Sequence, residues 1–486
     1  MSFSNVIFLF YFIPVFFILF YLLPCRFRNY LLLPAGLFFY AWGAPVFVCF
    51  VAGSILVDYF LVRGMAGHEN KGKRKIFLFS SLLLNLGLLV YFKYANFFLE
   101  NFNWILLKTG SGPMEWTKIL LPVGISFITF QKISYSMDCY RRTYPPARNL
   151  WDYATYVMMF PQILSGPITR FHQVSGTLQQ PVPVVMDDRL GGLFRFSIGL
   201  AKKVLVADLI AGGVGDIFAL HPADLNTPVA WLGALGFTFQ LYFDFSGYSD
   251  MAIGLARMMG FRLPENFNNP YLSGSITEFW KRWHITLSSW LRDYLFLPIA
   301  YSVSRKMKKD KYFDIRSDKI IYLIATTITF LLCGFWHGAG WTFIAWGLYQ
   351  GLFLIADRLF LLKILKKTGR IISIPFTFMV SMAGWVIFHS ANLGDAGTYL
   401  LRMVAFDFHP SSFYAGKQFI IMIAIAFLFS FFALPSRGEK LQASVFGQQL
   451  SFAGTIAMWG ISAGLLFLSI SFIVSSGFNP FIYFRF

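Results

Sequence analysis

Charge is scarce in this 486-residue chain, where Asp, Glu, Lys and Arg make up 13% of the residues. Soluble globular proteins carry about a quarter, so that scarcity excludes a water-soluble domain of this length. Acid is scarcer still, with 23 Asp and Glu against 41 Lys and Arg and a formal charge of +18. Cysteine is nearly absent. Cys25, Cys49, Cys139 and Cys333 are scattered without a C-x-x-C pair, which excludes a disulfide framework or a cysteine-based zinc site. No metal is expected. Also missing are a P-loop, a dinucleotide fingerprint, a zincin motif, a G-x-S-x-G elbow and any internal repeat.

What is present is apolar and aromatic. Hydrophobic residues make up 57% of the chain and aromatic ones 20%, with 59 phenylalanines. Apolar runs of roughly 18 residues or more read as membrane-spanning helices. The runs predict spans at about 6–23, 44–62, 76–98, 119–139, 153–168, 192–212, 229–256 and 276–300. Further spans are expected at about 320–335, 341–358, 372–390, 417–434 and 452–475, with a short segment, spanning or re-entrant, at 31–41. The fold class is therefore an all-α polytopic integral membrane protein. About eleven full spans plus re-entrant helices are expected in a single domain over residues 1–486, with its core at about 120–392. Val6 to Leu23 is read as a retained first span, followed by Arg26 and Arg28.

The basic residues cluster in short loops at 63–75, 305–319 and 358–370. That pattern is the positive-inside signature and places those loops in the cytoplasm, against anionic lipid headgroups. The bilayer explains the charge, and nucleic acid is not an expected partner. The arginines after the first span favour an external N-terminus. His337 lies 18 residues beyond Lys319 and 21 before Arg358. At 1.5 Å per helical residue, roughly 27–31 Å separates it from the cytoplasmic loops. A hairpin is expected to rise from inside, turn at His337 and return.

The run Gly334-Phe-Trp336-His337-Gly338-Ala-Gly340-Trp341 is the strongest candidate site. An ionisable side chain at membrane depth usually faces a cavity, a partner or a substrate path. Neutral imidazole can accept a proton from a hydroxyl as it attacks an acyl carbonyl, although a core histidine bonded to a carbonyl has the same sequence. Upstream, Glu278 and Arg282 stand i,i+4 in the favourable order for an ion pair, beside Lys281. His284 and Ser288 share a face on a continuous helix, and Asp293 then falls on the opposite one. Lys281, Arg282 and His284 are equally readable as an interfacial anchor with Trp280, Trp283 and Trp290. Asp244 and Tyr248 share a face of another span. They are candidates to line a tunnel, or to fix helix packing by a hydrogen bond. Pro161-Gln-Ile-Leu-Ser165-Gly-Pro167 is expected to break a helix.

Several blocks in order resemble the membrane-bound O-acyltransferase superfamily, in its bacterial branch of alginate O-acetyltransferases and teichoic-acid D-alanyl transfer proteins. They are Phe3-Ser-Asn-Val-Ile-Phe, Tyr91-Phe-Lys-Tyr-Ala-Asn-Phe, Leu121-Pro-Val-Gly-Ile-Ser-Phe, Gln240-Leu-Tyr-Phe-Asp-Phe-Ser-Gly-Tyr-Ser-Asp and Glu265-Asn-Phe-Asn-Asn-Pro-Tyr. Ser275 to Leu295, Phe335-Trp-His-Gly-Ala and the terminal Phe481-Ile-Tyr-Phe-Arg-Phe complete the set. The resemblance implies a ring of tilted helices around a funnel or tunnel. It makes His337 the essential catalytic residue, places Asp293 near the same tunnel, and puts His284 toward the cytoplasmic side. It implies acetyl-coenzyme A as the acyl-donor substrate, with no permanently bound cofactor. A periplasmic serine-esterase-like (SGNH) acetyltransferase and an exopolysaccharide are the implied partners. Lys281 and Arg282 are candidates for holding the donor's phosphates, and Trp336 for lining the tunnel.

Two other readings remain at this point. One is D-alanyl transfer from a carrier protein to teichoic acid. The other is a polysaccharide or lipid transporter without covalent chemistry, in which Asp244, Asp250 and His337 line a transport path.

Overall fold

The computed structural model describes residues 1–312, 314–440, 452–476 and 480–482. Residues 483–486 of the terminal aromatic block lie outside the described residues. Apart from one two-stranded hairpin, β1 (Lys311–Tyr312) with β2 (Ile315–Arg316), the regular structure among the described residues is helical.

By its contacts the chain forms two compact units. The first comprises Met1–Leu193 and Met251–Pro264. Its helices are α1 (Ile13–Leu22), α2 (Arg28–Gly43), α3 (Pro45–Ala66), α4 (Lys71–Leu89), α5 (Ala95–Lys108), α6 (Ile125–Arg141), α7 (Leu150–Met158), α8 (Phe160–Ile163) and α9 (Phe171–Gln179). A π-helical stretch at Val90–Tyr94 fuses α4 and α5 into one long rod. Asn70 caps the start of α4, accepting from the backbone N–H of Gly72 and Lys73. The expected break falls between α7 and α8, at Met159, and the chain then runs without regular helix through Ser165-Gly166-Pro167.

The core of this unit contains a closed polar cluster. Asp58 of α3 is fully buried. Its Oδ1 accepts from Ser81 Oγ at 2.5 Å and Asn85 Nδ2 at 2.9 Å, both on α4. Its Oδ2 accepts from the Tyr153 hydroxyl on α7. Lys132 of α6 donates to the Ser54 carbonyl and hydroxyl at 3.1 and 3.0 Å. An acid and a base inside apolar helices are tolerated only with such partners.

The second unit comprises Phe194–Asp250 and Glu265–Phe486. Into it run α10 (Met186–Ala201), α11 (Asp208–Phe218) and α12 (Thr227–Met258), the first two joined by a π-helical stretch at Lys202–Ala207. It continues with α13 (Ile276–Arg282), α14 (Ile285–Leu291), α15 (Leu297–Lys306), α16 (Ser317–His337), α17 (Trp341–Ala356), α18 (Leu362–Thr368), α19 (Arg370–His389), α20 (Leu393–Val404), α21 (Lys417–Phe431) and α22 (Phe452–Ser476).

Among the described residues, five helical stretches are long and apolar enough to cross a membrane: Pro45–Ala66, Lys71–Lys108, Ser317–His337, Arg370–His389 and Gly454–Ser475. Shorter apolar helices cover Phe8–Leu22 and Lys417–Phe431. The expected span at 276–300 is not one rod. Trp283 and His284 interrupt it, α14 restarts at Ile285, and a π-helical stretch covers Arg292–Phe296.

A candidate acyl-transfer site around His337

The hairpin of α16 and α17 places His337 at its tip. Helix α16 ends on His337, and α17 begins at Trp341, after the three residues Gly338, Ala339 and Gly340. Glycine lets the two helices close on each other. A Cβ at Gly334 would strike the Phe343 carbonyl, and one at Gly347 would strike the Phe330 carbonyl. Trp336 and His337 are both buried, at 7% and 5% exposure. The imidazole is walled by rings. Trp336 and Trp346 lie with centroids 4.8 Å from it, and Phe388 of α19 at 5.5 Å. Trp346 stacks on Trp385 of α19 at 5.7 Å. Cys333, one turn before His337, is fully buried and faces no solvent.

Helix α13 is tied to this hairpin at both ends. Trp280 donates to Gln350 Oε1 of α17 at 3.3 Å. The backbone N–H and hydroxyl of Thr277 donate to Asp357 Oδ2 at 2.8 and 2.9 Å. The predicted pair of Glu278 and Arg282 forms at 2.9 Å. Arg282 also reaches the Asn268 carbonyl at 3.3 Å, while Lys281 is exposed.

His284 is fully buried and sits at φ 43°, ψ 53°, in the left-handed region. For a residue with a Cβ that conformation costs about 1–2 kcal/mol. Asn266 offsets it. Its backbone carbonyl accepts from Ile285 N–H at 2.9 Å. Its side-chain Oδ1 accepts from the Thr286 hydroxyl at 2.9 Å and lies 3.0 Å from His284 Nδ1. Its Nδ2 donates to the Ser249 hydroxyl at 3.1 Å. With Oδ1 as the acceptor, the proton of a neutral His284 sits on Nδ1, and Nε2 keeps its lone pair.

This arrangement corrects the expectation that His284 and Ser288 share a helical face. His284 precedes the helix rather than belonging to it, and Ser288 donates to the Trp283 carbonyl at 3.3 Å. Asp293 lies in the π-helical stretch, so its direction from His284 does not follow α-helical counting. Its Oδ1 is ion-paired with Arg292 at 2.7 Å. Asn266 lies in a block noted in the sequence, but nothing in its spacing pointed to a link with His284.

Asp244 and Tyr248 do share a face, as their spacing predicts, and that face receives the end of the chain. Asp244 Oδ1 lies 2.8 Å from Lys203 Nζ, and Oδ2 accepts from Ile482 N–H at 2.9 Å. Tyr248 meets the Phe481 ring edge-on at 4.6 Å. Lys203 also pairs with Asp208 at 2.7 Å. Its neighbour in the π-helical stretch, Lys202, reaches Asp250 at 2.7 Å, where Arg195 also binds at 2.9 Å. These are the packing bonds that the sequence left as the alternative to tunnel lining.

The membrane-bound O-acyltransferase family matches residues 147–389, a stretch that holds every candidate site residue named above. The chain is 39% identical to a probable alginate O-acetylase AlgI of Pseudomonas putida over the full length of both proteins. It is 43% identical to the protein of that name from Pseudomonas aeruginosa, over 84% of this chain and 75% of the relative. A peptidoglycan O-acetyltransferase of Helicobacter pylori is 35% identical over 77% of this chain and 73% of its own. A transporter without covalent chemistry is set aside by these likenesses. With its apolar helices, this multi-pass membrane protein is an acyltransferase, and the chain belongs to the membrane-bound O-acyltransferase family.

Proposed function

We propose that this protein takes an acetyl group from cytoplasmic acetyl-coenzyme A and relays it across the bacterial inner membrane for O-acetylation of an alginate-like exopolysaccharide. A periplasmic esterase-like acetyltransferase is the proposed partner on the far side. The observation that carries this reading is the buried imidazole of His337 at a hairpin tip. It stands in a chain whose relatives bear the names alginate O-acetylase and peptidoglycan O-acetyltransferase. The proposal includes about eleven tilted helices around a tunnel in one domain, a periplasmic N-terminus, and His337 within the tunnel.

In the proposed step, His337 takes the proton of the acceptor hydroxyl as its oxygen attacks the carbonyl carbon of the thioester. A C–O bond forms and the carbonyl π pair moves onto oxygen. Collapse of the tetrahedral intermediate breaks the C–S bond, and the thiolate leaves with the proton held on His337. Asp293 assists by favouring the imidazolium that forms. Lys281 is exposed and offers its charge to the phosphates of coenzyme A, whereas Glu278 already neutralises Arg282.

The test is acetyl transfer from radiolabelled acetyl-coenzyme A by the full chain in liposomes, with and without the proposed partner. Wild type should label the partner or glycan. His337→Ala should insert normally and lose on the order of 100-fold or more of the rate, the scale of a lost general base. Undiminished transfer by that variant overturns the mechanism. No transfer by either protein overturns the choice of donor, and a D-alanyl carrier thioester is then tried in its place.

A further inference from the structure

Among the described residues, three buried hydrogen-bond donors on the two helices packed beside His337 have no acceptor. They are Nε1 of Trp346, Nε1 of Trp385 and Nε2 of Gln350, on side chains with 0%, 1% and 0% exposure. Trp346 and Gln350 stand one turn apart on α17, so they share a face. Trp385 stacks on Trp346 from α19. The orientation of the Gln350 amide is fixed, because its Oε1 accepts from Trp280 and its Nε2 lies against Gly384, beside Trp385. Trp346 is also in ring contact with His337.

A buried donor without an acceptor destabilises a fold, and native proteins keep few of them. Three on adjoining side chains, with Trp346 in ring contact with the imidazole, call for an acceptor that arrives with the substrate. A metal ion is excluded as that ligand, because N–H groups have no lone pair to offer it. A carbonyl oxygen fits. It has two lone pairs in the thioester and three as the alkoxide of a tetrahedral intermediate, so its demand for donors rises as the reaction proceeds.

We propose that the N–H groups of Trp346, Trp385 and Gln350 receive the acyl carbonyl oxygen and hold the negative charge that grows on it beside His337. This inference rests on the acyl-transfer reading of His337 given above. The donors are sealed from water, which strengthens their hold on a developing charge. Phe388 packs against both His337 and Trp346.

The test replaces Trp346, and separately Trp385, with 3-benzothienylalanine. This residue keeps the bicyclic shape and puts sulfur where the N–H was. Each full-length variant is assayed in liposomes with labelled acetyl-coenzyme A, beside wild type and His337→Ala, and kcat is separated from KM. Loss of one such donor should lower kcat on the order of 100- to 1,000-fold at nearly constant KM. Trp346→Phe should be at least as slow, with the added cost of lost packing. Unchanged kcat in both benzothienyl variants, with His337→Ala inactive in the same liposomes, overturns the donor proposal alone. It would mean that these N–H groups face only neighbouring rings. Full activity in His337→Ala overturns the acyl-transfer reading, and this inference with it.

Discussion

Two buried polar clusters, one in each unit, serve opposite ends. Around Asp58, in the first unit, both carboxylate oxygens are filled by Ser81, Asn85 and Tyr153 from two neighbouring helices. Around His337, in the second, Trp346, Trp385 and Gln350 bring donors that the protein itself does not satisfy. Burial is equally deep in both places. What differs is the hydrogen-bond account: it closes in one region and stays open in the other. A closed account holds helices together, whereas an open one waits for a substrate.

The sharpest way to break this comparison is to exchange the readouts. His337→Ala should abolish transfer, by on the order of 100-fold or more, while the melting temperature in detergent stays near that of wild type. Two of its ring neighbours, Trp346 and Phe388, also pack on each other, and that packing does not need the imidazole. A large loss of thermal stability in that variant would place His337 with Asp58 as a structural group.

Asp58→Leu should do the reverse. It takes the acceptor from the Tyr153 hydroxyl, leaves Ser81 to Ser136 and the Asn85 amide to the Ser81 carbonyl, and leaves Lys132 in the same core without the opposite charge. Breaking a buried charged network by removing one partner costs about 3–5 kcal/mol. The expected result is a marked fall in the detergent melting temperature, with specific activity retained by the molecules that remain folded. A stable Asp58→Leu protein that has lost transfer would move this cluster into the chemistry.

Asn266 lies between these extremes, because it is both a brace and a neighbour of a candidate site residue. Asn266→Ala removes the acceptor for Thr286 and the partner of His284 Nδ1, and leaves the left-handed turn at His284 less supported. A loss of about 1–3 kcal/mol is expected from the stranded partners. If His284 works through its orientation, the pH dependence of transfer shifts as well, because the tautomer is no longer fixed. Asn266→Asp keeps an acceptor at the same place and should restore much of the stability. An unshifted pH profile in Asn266→Ala makes the residue a brace only.

Much of this was legible in the sequence. The helical, apolar character of the chain follows from its composition. The hairpin apex at His337 follows from two apolar runs meeting at glycines, and the structure ends α16 on that residue. The pair of Glu278 and Arg282 and the common face of Asp244 and Tyr248 follow from i,i+4 spacing. The break at His284 was not legible, because no glycine or proline marks it. Tertiary bonds from Asn266, 18 positions away, hold the strained backbone there. The left-over donors were invisible for a related reason: a tryptophan in an apolar run reads as packing until its N–H is seen to have no acceptor. Asp58 and Lys132 did carry a signal, since each is a lone charge within an expected span, but only the folded chain shows that they share one cluster.

The smallest expected effect tests the same contrast at the surface. Glu69, in the loop between α3 and α4, accepts from Arg142 at 2.6 Å. That hydrogen bond and the guanidinium charge hold its carboxyl below the usual glutamate range. A depressed folded-state value contributes stability above the unfolded value, and the contribution is lost as pH falls through the folded one. Both groups are open to water, however, with side-chain exposures of 88% for Glu69 and 56% for Arg142. Solvent and salt screen such a pair, and holding two long side chains costs entropy. Glu69→Gln is therefore expected to leave the melting temperature at neutral pH within error of wild type, and transfer unchanged. Only a slight gap between the two proteins should appear at low salt, and it should close as the medium is acidified through the folded value of Glu69. A clear destabilisation at neutral pH and physiological salt would mean that this loop contributes to the first unit what the buried cluster at Asp58 is credited with here.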